Sequence, residues 1–116
     1  NQLKQVLINI LVNAVEAMPK GGTIFLNATR RRPLSHPPEV RVSIRDTGCG
    51  IAQNDLGKVF EPFYSTKPKT SSTGLGLSVT RGIVRKHGGT IHIESRPGRG
   101  TEVLLSFPVN LETDGA

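Results

Sequence analysis

The chain has 116 residues, 35% hydrophobic and 21% charged, which suits one domain built around one core. No apolar run approaches the roughly 20 residues of a membrane span, no signal peptide is visible, and the single Cys49 excludes an internal disulfide, so a cytoplasmic setting is expected. Fifteen basic residues against nine acidic ones give +6, a balance that favours a polyanionic partner; yet the cations are scattered along the chain and four Phe and one Tyr offer little for base stacking, which argues against nucleic acid.

Leu3, Val6, Leu7, Ile10, Leu11 and Ala14 recur at helical spacing, predicting a helix over 2–18 that Pro19 and Gly21-Gly22 stop. At about 100° per residue Gln2, Gln5, Asn9, Asn13 and Glu16 fall in one stripe, while Ile8, Val12 and Val15 make most of the remaining circumference apolar. Such a helix is expected to be largely buried with one polar edge. A buried amide without a partner costs roughly 1–3 kcal/mol, so Asn9 and Asn13 should face water, a metal or a ligand. Asn1 already lies inside the helical pattern with no cap before it, so the chain is expected to be a piece of a longer one.

Residues 23–29 read as a strand, followed by a Pro-rich loop through Pro38 that holds Arg30-Arg31-Arg32, and a second strand ending at Asp46. The alternation of Val40, Val42 and Ile44 breaks there into Asp46-Thr47-Gly48-Cys49-Gly50. A strand end thus presents a carboxylate beside two glycines, which suits an exocyclic amine and a flat ring lying on the main chain. Asp-Thr-Gly also ends strands as an ordinary turn.

Beyond Ile51, residues 56–64 suggest a short helical piece with an aromatic cluster, and residues 65–72 have the polar composition of a lid, with Lys67 and Lys69 suited to phosphate. Thr73-Gly74-Leu75-Gly76-Leu77-Ser78 opens a helix running to about Lys86. Glycines at a helix start let phosphate approach the free amides, although no Walker loop is present. His87-Gly88-Gly89 ends that helix, 90–94 alternates as a strand, and a tight turn at 96–100 leads to a last strand ended by Pro108. His36, His87 and His92 lack metal-ligand spacing.

In this order the four clusters resemble the ATP-binding catalytic domain of sensor histidine kinases, in the superfamily that also holds gyrase, Hsp90 and MutL. QVLINILVNAVEA (5–17) looks like the N box, DTGCGI (46–51) like the G1 box, Phe60 to Phe63 like the F box, and TGLGLS (73–78) like the G2 box; 87–108 resembles the closing hairpin. The resemblance covers nearly the whole chain. It implies an α+β, two-layer sandwich (Bergerat-type) with helices on one face of a mixed, mainly antiparallel sheet, here without the family's first strands. It implies an ATP-binding catalytic domain over 1–109, N-terminally truncated, with 110–116 as tail or linker.

The resemblance further implies Mg²⁺ and ATP as cofactors. Asp46 would accept from the adenine amine, with Gly48, Gly50 and Ile51 against the ring. Asn13 would ligate Mg²⁺ with Asn9 nearby, while Thr73, Gly74, Leu75, Gly76 and Leu77 hold phosphate and Lys67 adds a cation. Expected partners are a dimerisation domain carrying the phosphoacceptor histidine, outside this chain, and a downstream response regulator; neither nucleic acid nor direct membrane contact is expected. An anti-sigma-type serine kinase or a nucleotide-sensing module would share the same boxes. Two positions depart from the family: Ser72 stands where many members have a lid glycine, and Glu16 where some branches carry a phosphate-directed Lys.

Overall fold

The structure is a computed structural model and describes residues 2–32, 34, 37–61 and 76–109. The elements follow in the order α1 (Gln2–Glu16), β1 (Ile24–Arg31), β2 (Glu39–Asp46), α2 (Gln53–Leu56), α3 (Gly76–Lys86), β3 (Thr90–Arg96) and β4 (Gly100–Pro108). The four strands form one sheet in the order β1-β2-β4-β3. Two hairpins, β1–β2 and β3–β4, are joined by pairing of β2 with β4, with Ile44 opposite Val103 and Val42 opposite Leu105. All three pairings are antiparallel, so the parallel component expected of a mixed sheet is not among the described strands.

Alternation along the strands puts Ile44, Val103 and Leu105 on one face, where they meet Val6 and Ile10 of α1 and Val84 of α3. Each such buried aliphatic contributes about 1.5–3 kcal/mol from water exclusion, so this small cluster is what holds the two layers together. Leu11, Val42, Ile83, Ile91, Ile93 and Phe107 pack around it. The opposite sheet face is polar: Ser43 Oγ donates to Glu102 at 2.7 Å and Ser106 Oγ to Glu39 at 2.7 Å, so long side chains there are tied down across strands.

Two sequence expectations change. Ile8, Val12 and Val15 are 44, 48 and 59% exposed, so α1 buries one stripe and not most of its circumference. The reason is that only one sheet face and one neighbouring helix meet it among the described elements. The short helix α2 precedes the expected span: Ala52 leads it, and residues 57–60 form turns that bury Val59. Asp55 in its first turn favours that start, where a carboxylate meets free amides.

Candidate functional site

β2 ends on Asp46, a residue only 7% exposed. Burying a carboxylate demands compensating donors, and two main-chain amides supply them: Gly48 N–H donates to Oδ1 at 2.8 Å and Thr101 N–H to the same oxygen at 3.3 Å. Among the described residues no donor reaches Oδ2. One carboxylate oxygen is thereby fixed by the fold, and the other is left as an acceptor at the strand end.

The turn that follows is wedged between three elements. Cys49 N–H donates to the carbonyl of Ala17 at 3.1 Å, tying it to the end of α1, and Gly98 N–H donates to the carbonyl of Cys49 at 2.7 Å, tying it to the β3–β4 turn. A Cβ on Gly48 would press on Ala17. Gly50 has φ +74°, and a Cβ there would collide with the Arg96 carbonyl; Gly100 has φ +87° and would collide with the carbonyl of Asp46. The glycines of this stretch therefore have a demonstrable packing role, where the sequence pointed to room for a ligand ring. The Ser95 hydroxyl accepts from Ile51 N–H at 2.7 Å, donates to the Gly100 carbonyl at 2.9 Å and shares a 2.8 Å bond with the Thr101 hydroxyl. That buried node fixes Ile51 and Thr101 relative to each other.

The polar stripe of α1 faces α3. Gln5 Nε2 donates to Asn9 Oδ1 at 2.9 Å, Asn9 Nδ2 donates to Thr80 Oγ1 at 3.2 Å, and Thr80 Oγ1 donates to the carbonyl of Gly76 at 2.6 Å. Thr80 is fully buried. Asn9, partly exposed, bridges the two helices. The relay sets the start of α3 beside α1, and Asn13 Nδ2 lies 3.8 Å from where a side chain on Gly76 would begin. Asn13 and the first described amides of the G2 cluster, Gly76 and Leu77, thus share one end of the molecule with Asp46.

A model of the family described as "Histidine kinase-, DNA gyrase B-, and HSP90-like ATPase" matches residues 1–111. The chain belongs to this ATPase family. It is 46% identical over 108 residues to sporulation kinase A of Bacillus subtilis, covering 93% of this chain and 17% of that protein. It is 39% identical over 111 residues to the sensor histidine kinase ZraS of Escherichia coli, covering 96% and 22%. The chain therefore spans less than a quarter of either of these curated relatives. Among solved structures, the mycobacterial sensor histidine kinase MprB superposes with a TM-score of 0.78 at 28% identity, over 92% of this chain and 70% of that one. The catalytic domain of the histidine kinase ThkA gives 0.76 at 37%, over 92% and 66%. Full-length ShkA, solved in complex with AMPPNP, gives 0.75 at 30%, over 92% and 21%.

Set against the family boxes, the structure brings together Asp46, Gly48, Gly50, Ile51, Asn13, Gly76 and Leu77. Lys67, Thr73, Gly74 and Leu75, the expected lid with Ser72, and Pro62 and Phe63 of the F box lie outside the described residues. Phe60 of that box sits under the Arg81 guanidinium, 5.0 Å from the ring centre, which fastens it to α3. Sequence reasoning missed Thr80, Ser95, Thr101 and Arg81. Ser95 carried a signal: it follows Ile91 and Ile93 on the inward face of β3, where a hydroxyl needs a partner. A separate shallow hollow of about 510 Å³, lined by Arg45, Gln53, His92, Glu94 and Arg99 among others, holds neither Asp46 nor Asn13.

Proposed function

We propose that residues 1–109 bind Mg²⁺-ATP and donate its terminal phosphate to a histidine on a dimerisation domain of the parent two-component sensor kinase, with a response regulator downstream and 110–116 as tail or linker. The observation that carries the reading is Asp46: a buried carboxylate with Oδ1 held by two amides and no described donor on Oδ2. Such an oxygen accepts from an adenine amine and repels the carbonyl of guanine. Gly48, Gly50 and Ile51 line the same turn and would border the ring. Asn13 and the amides at Gly76 and Leu77 are the matching feature for the phosphates, and the family's pattern adds Thr73, Gly74, Leu75 and Lys67. Asn9 supports the site through Thr80.

The donor set fits a magnesium ion. Among the described residues no group of three or more His, Cys, Asp or Glu side chains could hold a metal, so an ion here would take most ligands from phosphate and water. Asn13 offers the kind of oxygen that Mg²⁺ accepts in such a shell. Bound there, the ion would neutralise charge on the phosphates. The chain's own residues bind the base, orient the nucleotide and present its terminal phosphate. In-line transfer requires a mobile acceptor, and the two described histidines are held elsewhere. His92 is exposed on β3 and 3.5 Å from Glu94; His87 lies 3.2 Å from Gln2 at the other end of α1.

The test is incubation with γ-labelled ATP, alone and with a matching dimerisation domain. The expected result is no label on this chain and acid-labile, alkali-stable label on the added domain. Label on serine of a partner protein would replace this reading with the anti-sigma-type one.

A further inference from the structure

The cations look scattered in sequence, and folding gathers them. β2 runs about 25 Å at the usual rise of about 3.3 Å per residue, from Glu39 at one pole to Asp46 at the other. At the Glu39 pole Arg31 pairs with Glu39, Glu39 with Pro108, a Cβ on Gly88 would lie 3.5 Å from Pro108, and His87 reaches Gln2. The β1–β2 tip, the end of β4, the last turn of α3 and the first turn of α1 therefore meet. Arg30, Arg31 and Arg32 close the tip, Arg41 lies beside them on β2, Lys4 begins α1, and Arg85 and Lys86 end α3.

Seven cations thus stand at this pole against one carboxylate, Glu39, which is already 3.5 Å from Arg41. The remaining described residues carry six cations and six acids and are neutral in sum, so the excess positive charge of the described residues sits here. The dipole of α3 accounts for Arg85 and Lys86 at its end and for none of the tip arginines. Leu34 projects from the tip fully exposed, and Leu3 is 41% exposed nearby.

We infer that this pole docks on an anionic lipid bilayer. A positive pole with exposed leucines matches a surface that is negative at its headgroups and apolar beneath, where each Lys or Arg near the surface adds about 1 kcal/mol of attraction. Nucleic acid fits less well, because no exposed aromatic stands at this pole among the described residues. Docking by this pole leaves Asp46 and Gly76 turned away from the surface. The inference departs from the sequence expectation of no direct membrane contact.

The test is co-sedimentation of the chain with phosphatidylcholine vesicles with and without phosphatidylserine, at several salt concentrations. Binding should require phosphatidylserine and fall as salt rises. Replacing Arg30, Arg31 and Arg32 together by Ala should lower partitioning on the order of 100-fold, whereas removing Lys20, Lys58 and Arg99, an equal charge from elsewhere, should lower it only a few-fold. Leu34→Ser should weaken binding while leaving its salt dependence unchanged, and unchanged thermal melting of each variant guards against unfolding. Equal partitioning to both vesicle types at low salt, or equal losses in the two triple variants, overturns the inference. So does capture by polyglutamate beads when vesicles are inert, which would assign the pole to an acidic protein.

Discussion

The Asp46 turn and the α1–α3 interface, the two halves of the proposed nucleotide site, are held by different means. The turn is locked by backbone: Gly50 and Gly100 adopt positive φ and touch the carbonyls of Arg96 and Asp46, and amides tie Cys49 to both Ala17 and Gly98. The interface is held by side chains, through Gln5, Asn9 and Thr80 to the carbonyl of Gly76. Backbone contacts tolerate no added atom, whereas a side-chain relay can lose a member and keep its helices. On the proposed reading, the turn that would take the base should be brittle and selective, and the interface that would take the phosphates adjustable.

The largest effect should come from Gly50→Ala, which forces positive φ on a Cβ that has no space. We expect a loss of about 3 kcal/mol or more in urea unfolding. Gly21 has φ +92° but open space around its Cβ position, so Gly21→Ala should cost only about 1 kcal/mol. Equal costs at the two positions would mean that conformation alone, and not the wedge, governs the turn.

Thr80→Val keeps the shape of a fully buried side chain and removes its hydroxyl. It should cost about 1–3 kcal/mol, since Asn9 loses an acceptor, and it should change nucleotide affinity less than any Asp46 substitution. An affinity loss larger than that of Asp46 variants would make the relay, and not the turn, the centre of recognition.

Asn13→Ala should leave stability nearly unchanged and abolish the gain in ATP affinity that Mg²⁺ gives, read by titration with and without EDTA. Persistence of the magnesium effect would return Asn13 to a purely structural role at the interface.

The elements were legible because each writes its own period: the 3.6-residue spacing of Val6, Ile10 and Ala14, the alternation of Ile91 with Ile93, the stop at Pro19 and the glycine after His87. Which elements meet is not written in any period. Exposure of Ile8, Val12 and Val15 depends on what covers α1, and the partner of Asn9 is Thr80, 71 residues away. The Gly48–Gly50 pair was found for its chemistry, yet its visible constraint comes from Ala17 and Arg96, which no local reading connects to it. The basic pole was invisible for the same reason: Lys4, Arg31 and Lys86 become neighbours only after the hairpins close. Asp46 and Asn13 were proposed from the sequence because an acid at a strand end and an amide on the polar edge of a helix each call for a partner.

The central claim is that Asp46 reads the base through Oδ2 while Oδ1 holds the turn. Asp46→Asn isolates it, because an amide can keep the Oδ1 acceptor for Gly48 and Thr101 and turn a donor toward the adenine amine. Calorimetry on wild type and this variant should show ATP weakened about 10- to 100-fold, the worth of a charged hydrogen bond of about 1.5–3 kcal/mol, at an unchanged melting temperature. Wild-type affinity for ATP in a folded Asp46→Asn protein would contradict it.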